Sequence, residues 1–187
     1  MKYYLVALFD EESYSAMEAI QKSICKKYKL YKNVPMLHIT LETIEDPDID
    51  KLSKVITDIL KPYKKFKVET NGIICFDPPY KSVNLKIESK GYIIRLARTI
   101  NDTLKLHGFT VRENIDNWDL HVSLANTNYA VREWTGREYV AACNTAKKDG
   151  FYRLAKVERI ELWKPINNRK EMRELNFQLE ITFLNEN

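Results

Sequence analysis

Two short segments of the sequence are nearly identical, and each places a histidine two positions before a hydroxyl residue. They are 37–41 (LHITL) and 120–124 (LHVSL). Alternate side chains of a β-strand share a face. Each segment is therefore predicted to bury its aliphatic residues and to present His38 with Thr40, or His121 with Ser123, on the opposite face. The chain has three histidines, so two of them in matching segments form the strongest functional signal.

This set of side chains suits phosphoryl transfer between oxygen atoms. One imidazole removes a proton from an attacking hydroxyl or water, and the other protonates the leaving oxygen. The hydroxyls donate to the non-bridging phosphate oxygens. We predict catalytic roles for His38 and His121 and phosphate binding for Thr40 and Ser123. Near-equivalence of the motifs leaves open which histidine is acid and which is base. The alternative, two ordinary half-buried strand histidines, is disfavoured by the repetition.

The elements that must position these residues follow from the apolar patterning. Strands are predicted at about 3–9, 36–43, 66–75, 82–88, 119–125, 152–163 and 174–184. Helical spacing occurs within 16–24, 49–59 and 93–104, and a fourth helix is predicted at about 131–146. The order helix, strand, helix, strand, strand occurs twice, and the two histidines are 83 residues apart. This repetition predicts an internal duplication.

The predicted architecture is accordingly α+β, with two pseudo-symmetric lobes. Each lobe would have an antiparallel sheet with helices outside, and the active-site groove would lie between the sheets. The whole chain, 1–187, is predicted to form one bilobal domain. Its duplicated halves would be approximately 1–89 and 90–187, and intertwining of strands between them is possible. No Gly/Ser-rich or Pro-rich linker divides the chain.

The two motifs make the sequence resemble the two-histidine phosphoesterase superfamily, which includes bacterial 2′-5′ RNA ligase-like proteins and cyclic nucleotide phosphodiesterases. That family is defined by two H-x-[TS]-x motifs on the strands of two lobes, matched here by His38, Thr40, His121 and Ser123. The resemblance covers nearly the whole chain. It implies a central groove, no cofactor, and substrates with 2′,3′-cyclic phosphates or 2′-5′ linkages.

The chain departs from this family at two places. Relatives often have Pro before the second histidine, where this chain has Leu120, and Gly soon after the first motif, where it has 42–45 (ETIE). Neither departure alters the four reacting side chains. The subfamily and the natural substrate therefore stay open.

The expected function is a metal-independent phosphoesterase that opens 2′,3′-cyclic phosphate ends of RNA or nucleotides. The reverse reaction would be ATP-independent 2′-5′ RNA ligation. Two alternatives remain: the same chemistry on 2′-5′ oligonucleotides or a sugar-nucleotide cyclic phosphate, and a non-catalytic module that binds RNA ends. No metal is expected, because neither motif has a further ligand at zinc spacing. Glu42 is predicted to share a face with His38, but one carboxylate does not complete such a site.

Composition gives weaker indications. The net charge of +4 suits a polyanionic ligand without requiring one. The apolar segment 3–9 is far too short for a secretory leader or a membrane span, so a cytoplasmic protein without a membrane partner is expected. The three cysteines, Cys25, Cys75 and Cys143, are widely spaced, form no CxxC pair and are expected to be buried or incidental thiols. No feature indicates the oligomeric state.

Several residues are weighed and set aside. Segment 147–150 (KKDG) matches the K-x-D-G pattern of ATP-dependent ligases, but a helix ending at a glycine explains it better. His107 is assigned to a helix end. Four aromatic residues could stack on a base, although core packing is favoured for any one of them: Tyr4, Tyr80, Trp118 and Trp163.

Overall fold

The computed structural model describes residues 1–181, in which eight strands and four α-helices form the domain. The strands are β1 (Lys2–Phe9), β2 (Ile39–Glu45), β3 (Phe66–Phe76), β4 (Ser82–Ile87), β5 (Thr110–Val111), β6 (His121–Ala125), β7 (Leu154–Trp163) and β8 (Arg173–Gln178). The helices are α1 (Glu11–Tyr28), α2 (Ile49–Leu60), α3 (Gly91–Leu106) and α4 (Gly136–Asp149), and a 3-10 turn covers Ile115–Asn117. Part of the strand predicted at 174–184 lies outside the described residues.

All eight strands belong to one sheet, and every pairing between them is antiparallel. The order is β1-β2-β6-β4-β3-β7-β8, and β5 pairs with the end of β2 on the edge opposite β1. The long strand β7 also pairs with β1, so six strands close a circuit. The predicted α+β class with antiparallel strands is confirmed. The two predicted sheets are parts of this continuous sheet.

In this circuit, strands from the second half of the sequence are inserted between strands from the first half. Strands β1 and β3 both pair with β7, and β6 lies between β2 and β4. The motif strands β2 and β6 are therefore neighbours although 83 residues separate their histidines. The aliphatic residues of both motifs lie in the core shared with the helices, namely Leu37, Ile39, Leu41, Leu120, Val122 and Leu124.

Helix ends follow local capping chemistry. Helix α4 begins at Gly136, five residues later than predicted, because Thr135 and Glu138 form a reciprocal capping box. At its other end Gly150 adopts a φ of 66° and its N–H donates to the Ala146 carbonyl. The KKDG segment is thus the last turn and cap of a helix. Within residues 1–181 no helix is long and apolar enough to cross a bilayer.

An irregularity in β2 overturns the predicted direction of Glu42. Leu5 pairs with Glu42 while Val6 pairs with Thr40, so Leu41 is an extra residue in the ladder. The bulge directs the Glu42 side chain to the helix side, away from the face that carries Thr40. There the carboxylate is fully buried and accepts hydrogen bonds from Asn101 Nδ2 at 2.7 Å and Arg112 Nε at 3.0 Å.

The prediction of buried or incidental thiols is wrong for two of the three cysteines. Cys75 near the end of β3 is disulfide-bonded to Cys143 on α4, with 6.3 Å between their Cα atoms. The two cysteines are 68 residues apart in the sequence. The disulfide could not be predicted from the sequence, because only the packing of α4 on β3 brings the two positions together. Cys25 is a buried free thiol whose pKa is raised by burial to about 12.

Breaking the disulfide is expected to lower the free energy of unfolding by about 2–4 kcal/mol, since the bond restricts a long loop of the unfolded chain. Urea unfolding of the oxidised protein, with and without dithiothreitol, measures this difference. The control is Cys143→Ser, which should already have the lower stability and should not respond to the reductant. An equal response of wild type and variant would contradict the assignment.

Candidate active site

A groove with a volume of about 940 Å³ lies on the side of the sheet away from the helices. All four residues singled out from the sequence line it: His38, Thr40, His121 and Ser123. His38 lies directly before β2, and His121 is the first residue of β6. The strand predicted at 36–43 begins three residues later than expected, at Ile39.

The pairing of β2 with β6 interleaves the two motifs. Ile39 is the partner of Val122 in this antiparallel pair. Continuing the register by one residue in each direction sets His38 towards Ser123, and Thr40 towards His121. Each imidazole is therefore placed on the strand position next to the hydroxyl of the other motif, and all four side chains line the same groove.

Both imidazoles are oriented by a hydrogen bond to a backbone carbonyl. His38 Nδ1 lies 2.7 Å from the Met36 carbonyl oxygen, and His121 Nδ1 lies 2.7 Å from the Asp119 carbonyl oxygen. A carbonyl only accepts, so Nδ1 of each ring carries the proton that it donates. The Nε2 atom of each neutral ring is left as the nitrogen that accepts a proton. A backbone carbonyl two residues upstream thus fixes the tautomer in both motifs.

Each histidine also packs edge-on against an aromatic ring from the other half of the chain. The His38 ring centroid is 4.7 Å from that of Trp163 at the end of β7, and the His121 centroid is 5.0 Å from that of Phe76 at the end of β3. Trp163, considered from sequence as a base platform, packs instead on a catalytic candidate. Phe76 was missed by sequence reasoning. Phe76 and Trp163 are 87 residues apart, close to the 83 residues between the two histidines. This similar spacing was the sequence signal that could have paired each ring with a histidine.

The Trp163 indole is itself held in place. Its Nε1 donates to Glu161 Oε2 at 2.6 Å, and this buried carboxylate also accepts from Arg159 Nε at 3.0 Å. The aromatic surface beside His38 is therefore fixed by a charge-assisted hydrogen bond.

The partly enclosed groove shifts both imidazole pKa values in the same direction. The pKa of His38 is lowered to about 4, mainly by burial and to a smaller extent by the nearby His121, while the hydrogen bond to the Met36 carbonyl opposes this shift. Burial also lowers the pKa of His121, as does the charge of Arg112, while Asp119 opposes both. Both rings are thus neutral at pH 7 in the free protein. A bound phosphate anion favours protonation of one of them.

The Ser123 hydroxyl is prepared for donation by a neighbouring amide. Asn126 Nδ2 donates to Ser123 Oγ at 2.7 Å, and the Asn128 N–H donates to Asn126 Oδ1 at 2.7 Å. The second bond fixes the orientation of the amide, because only its oxygen can accept. Ser123 Oγ therefore accepts from Asn126 and keeps its own proton for a ligand. No sequence pattern indicated Asn126.

Further aromatic side chains line the groove, and a fixed cation stacks on one of them. The Arg112 guanidinium stacks on Trp118, which lines the groove. Arg112 is anchored by Glu42 and by the Leu41 carbonyl, which accepts from Nη2 at 2.8 Å. Burial lowers the Arg112 pKa to about 10, so it stays charged at pH 7. Tyr4 and the exposed Tyr80 also line the groove.

His107 lies outside this groove, at the end of α3, as the sequence predicted. Its Nδ1 is 2.8 Å from the Thr103 carbonyl oxygen at the end of α3. Among the described residues, no group of three or more His, Cys, Asp or Glu side chains is arranged to hold a metal ion.

The sequence matches the family model of the 2′-5′ RNA ligase superfamily over residues 9–169. The chain belongs to the 2′-5′ RNA ligase superfamily. The match covers both histidine motifs and agrees with the resemblance seen in the sequence. No curated protein sequence is similar enough to count as a relative.

Solved structures share the fold of this superfamily member over nearly its whole length. The protein TT0787 of Thermus thermophilus is 18% identical, has a TM-score of 0.63, and is matched over 98% of this chain and 100% of its own. E. coli LigT complexed with NADP+ is 13% identical, with a TM-score of 0.59 over 95% and 97% of the two chains. LigT complexed with 3′-AMP is 10% identical, with a TM-score of 0.56 over 96% and 98%. At these identities the likeness establishes the fold.

Proposed function

We propose that this protein opens 2′,3′-cyclic phosphate ends of RNA or nucleotides with water, and that joining such an end to a 5′-hydroxyl is the reverse reaction. The observation that carries the proposal is the matched pair of imidazoles. Both line one groove, both have Nδ1 fixed by a carbonyl two residues upstream, and both have Nε2 left for proton transfer.

The reaction balances with these groups alone. Nε2 of one neutral imidazole takes a proton from water as the water oxygen bonds to phosphorus. The bond from phosphorus to one ribose oxygen breaks, and that oxygen takes a proton from Nε2 of the other, protonated imidazole. Thr40 and Ser123 donate to the non-bridging oxygens, whose charge rises in the transition state. Solvent exchange then returns each imidazole to its starting state.

The fold neighbours support a nucleotide ligand. E. coli LigT has been seen with 3′-AMP and with NADP+, and opening an adenosine 2′,3′-cyclic phosphate yields an adenosine monophosphate of that kind. The groove of about 940 Å³ is within the range of small-molecule sites, and its aromatic rings offer surfaces for a base.

The test is incubation of the purified protein, in EDTA, with 2′,3′-cyclic nucleotides, a 2′-5′ dinucleotide, a sugar-nucleotide cyclic phosphate and a cyclic-phosphate-ended RNA. Phosphorus NMR or chromatography detects ring opening, and the double variant His38→Ala, His121→Ala is the control. We expect opening of at least one 2′,3′-cyclic phosphate by wild type alone. Binding without turnover would favour a non-catalytic module, and turnover only on adding a metal would refute the mechanism.

The pH dependence should reflect the lowered pKa values. The reaction needs one neutral and one protonated imidazole, so the rate is expected to be bell-shaped in pH. For kcat/KM, which reports the free enzyme, the basic limb should lie below pH 6.5, the ordinary histidine value. Bound phosphate stabilises the imidazolium, so the basic limb of kcat should lie at higher pH. Steady-state kinetics from pH 3 to 10 measures both limbs; a rate that still rises at pH 10 would contradict this prediction.

A further inference from the structure

Asn84 on β4 brings an unused hydrogen-bond acceptor to the groove. The side chain is fully buried, yet Asn84 lines the groove beside the motif residues. Within the described part of the chain its Oδ1 has no hydrogen-bond partner. Buried polar atoms in proteins are nearly always paired, so such an atom at a ligand site indicates a donor on the ligand.

The amide orientation that leaves this acceptor unpaired is fixed by hydrogen bonds to the backbone. Asn84 Nδ2 donates to the Ile74 carbonyl at 3.0 Å, and it lies 3.3 Å from the Ser82 carbonyl and 3.1 Å from Ser82 Oγ. Two carbonyl oxygens can only accept, so the nitrogen must face them. Reversing the amide would place Oδ1 against both carbonyls. The unpaired atom is therefore the oxygen.

The sheet register sets this oxygen near the phosphate position. Asn84 is the partner of Ser123 across the antiparallel pair β4 and β6, and Lys86 is the partner of His121. Partners in a ladder point to the same face, so Asn84 lies beside the hydroxyl assigned to phosphate binding. A carbonyl-type oxygen does not bind phosphate oxygens that carry negative charge. A neutral donor next to the phosphate, such as a hydroxyl of the ligand, suits this oxygen.

We propose that Asn84 Oδ1 accepts a hydrogen bond from the free ribose hydroxyl that neighbours the phosphate in the opened nucleotide. This inference rests on the proposed function and names the sugar that the site selects. In the closed ring both ribose oxygens are esterified and carry no proton, so Asn84 gains its partner only on opening. The groove consequently holds the opened ribonucleotide better than a deoxynucleotide that lacks the hydroxyl.

The test compares ligands that differ by this hydroxyl alone. Calorimetry measures binding of adenosine 3′-monophosphate against 2′-deoxyadenosine 3′-monophosphate, and of adenosine 2′-monophosphate against its 3′-deoxy analogue. We expect wild type to bind the ribonucleotide about 5- to 10-fold more tightly in at least one pair, the effect of one net hydrogen bond. In Asn84→Ala the two members of that pair should bind equally.

Two further variants separate the acceptor from its surroundings. Asn84→Asp keeps an acceptor oxygen, so the preference should persist, while both ligands bind more weakly because the carboxylate repels the phosphate and its second oxygen faces the Ile74 and Ser82 carbonyls. Ser82→Ala removes a hydroxyl that contacts Asn84 Nδ2 and leaves Oδ1 in place, so the preference should not change. Asn84→Leu, which fills a similar volume without an acceptor, replaces Asn84→Ala if that variant does not fold.

The inference is overturned if wild type shows no preference in either pair, if it binds none of the ligands, or if the Ala or Leu variant keeps the preference. Turnover of 2′,3′-cyclic nucleotides is measured on the same samples. A preference that depends on Asn84 without any turnover would refute the proposed function and leave the ribose contact standing. Turnover without the preference would refute the role of Asn84 and leave the proposed function standing.

Discussion

Replacing His38 or His121 with alanine is expected to slow turnover of a 2′,3′-cyclic nucleotide by about 10²- to 10⁴-fold, because each change removes one of the two proton-transfer groups. The corresponding limb of the pH profile should vanish with it. The double variant should lose less than the product of the single losses, since loss of one group already disables concerted transfer. Steady-state kinetics on purified variants measures all three effects.

The matched control is His107→Ala, which removes the third histidine, outside the groove, and should leave the rate unchanged. His38→Asn is a sharper variant, since its amide nitrogen can still donate to the Met36 carbonyl while nothing replaces Nε2. It should fold as wild type and remain inactive. Near-full activity of either alanine variant would rule out the two-histidine mechanism.

The local patterns in the sequence were sufficient to place the four motif residues on one face of the sheet. Strand alternation depends on backbone geometry that neighbours hardly alter, so Ile39 and Val122 are buried while Thr40 and Ser123 line the groove. That alternation fails where a residue is inserted in the ladder. The bulge at Leu41 is invisible in the sequence, and it reversed the predicted direction of Glu42.

Contacts between distant segments were largely beyond sequence reasoning. The disulfide from Cys75, the rings of Phe76 and Trp163 beside the histidines, and the amide of Asn84 all depend on which strands are neighbours. A two-residue strand such as β5 has no periodicity to detect. These features follow from the closed circuit of strands, which periodicity alone does not specify.

The internal duplication remains a prediction. The similar surroundings of the two imidazoles in the groove support it. Each imidazole has the same carbonyl partner two residues upstream and an aromatic ring at the end of a strand from the other half. Such reciprocity is what a duplicated unit with exchanged strands would produce. The hydroxyl environments differ, since Asn126 contacts Ser123. The two halves of the site are therefore similar in their proton-transfer groups and distinct in how one hydroxyl is supported.

The hydroxyl residues should show a different kinetic pattern from the histidines. Thr40→Val and Ser123→Ala each remove a donor to the phosphate oxygens. We expect losses of about 10²- to 10³-fold in kcat/KM, because these bonds strengthen as charge develops in the transition state. Both limbs of the pH profile should remain, since neither hydroxyl titrates in this range. Steady-state kinetics across the pH range measures the loss and the limbs together.

Thr43→Val is the matched control for Thr40→Val, because it makes the same change on the same strand at a residue that does not line the groove. It should retain the wild-type rate. Ser123→Thr keeps the hydroxyl and should recover much of the activity lost in Ser123→Ala. If Thr40→Val abolished a pH limb, the hydroxyl would be acting in proton transfer, and the division of roles between Thr40 and the histidines would be wrong.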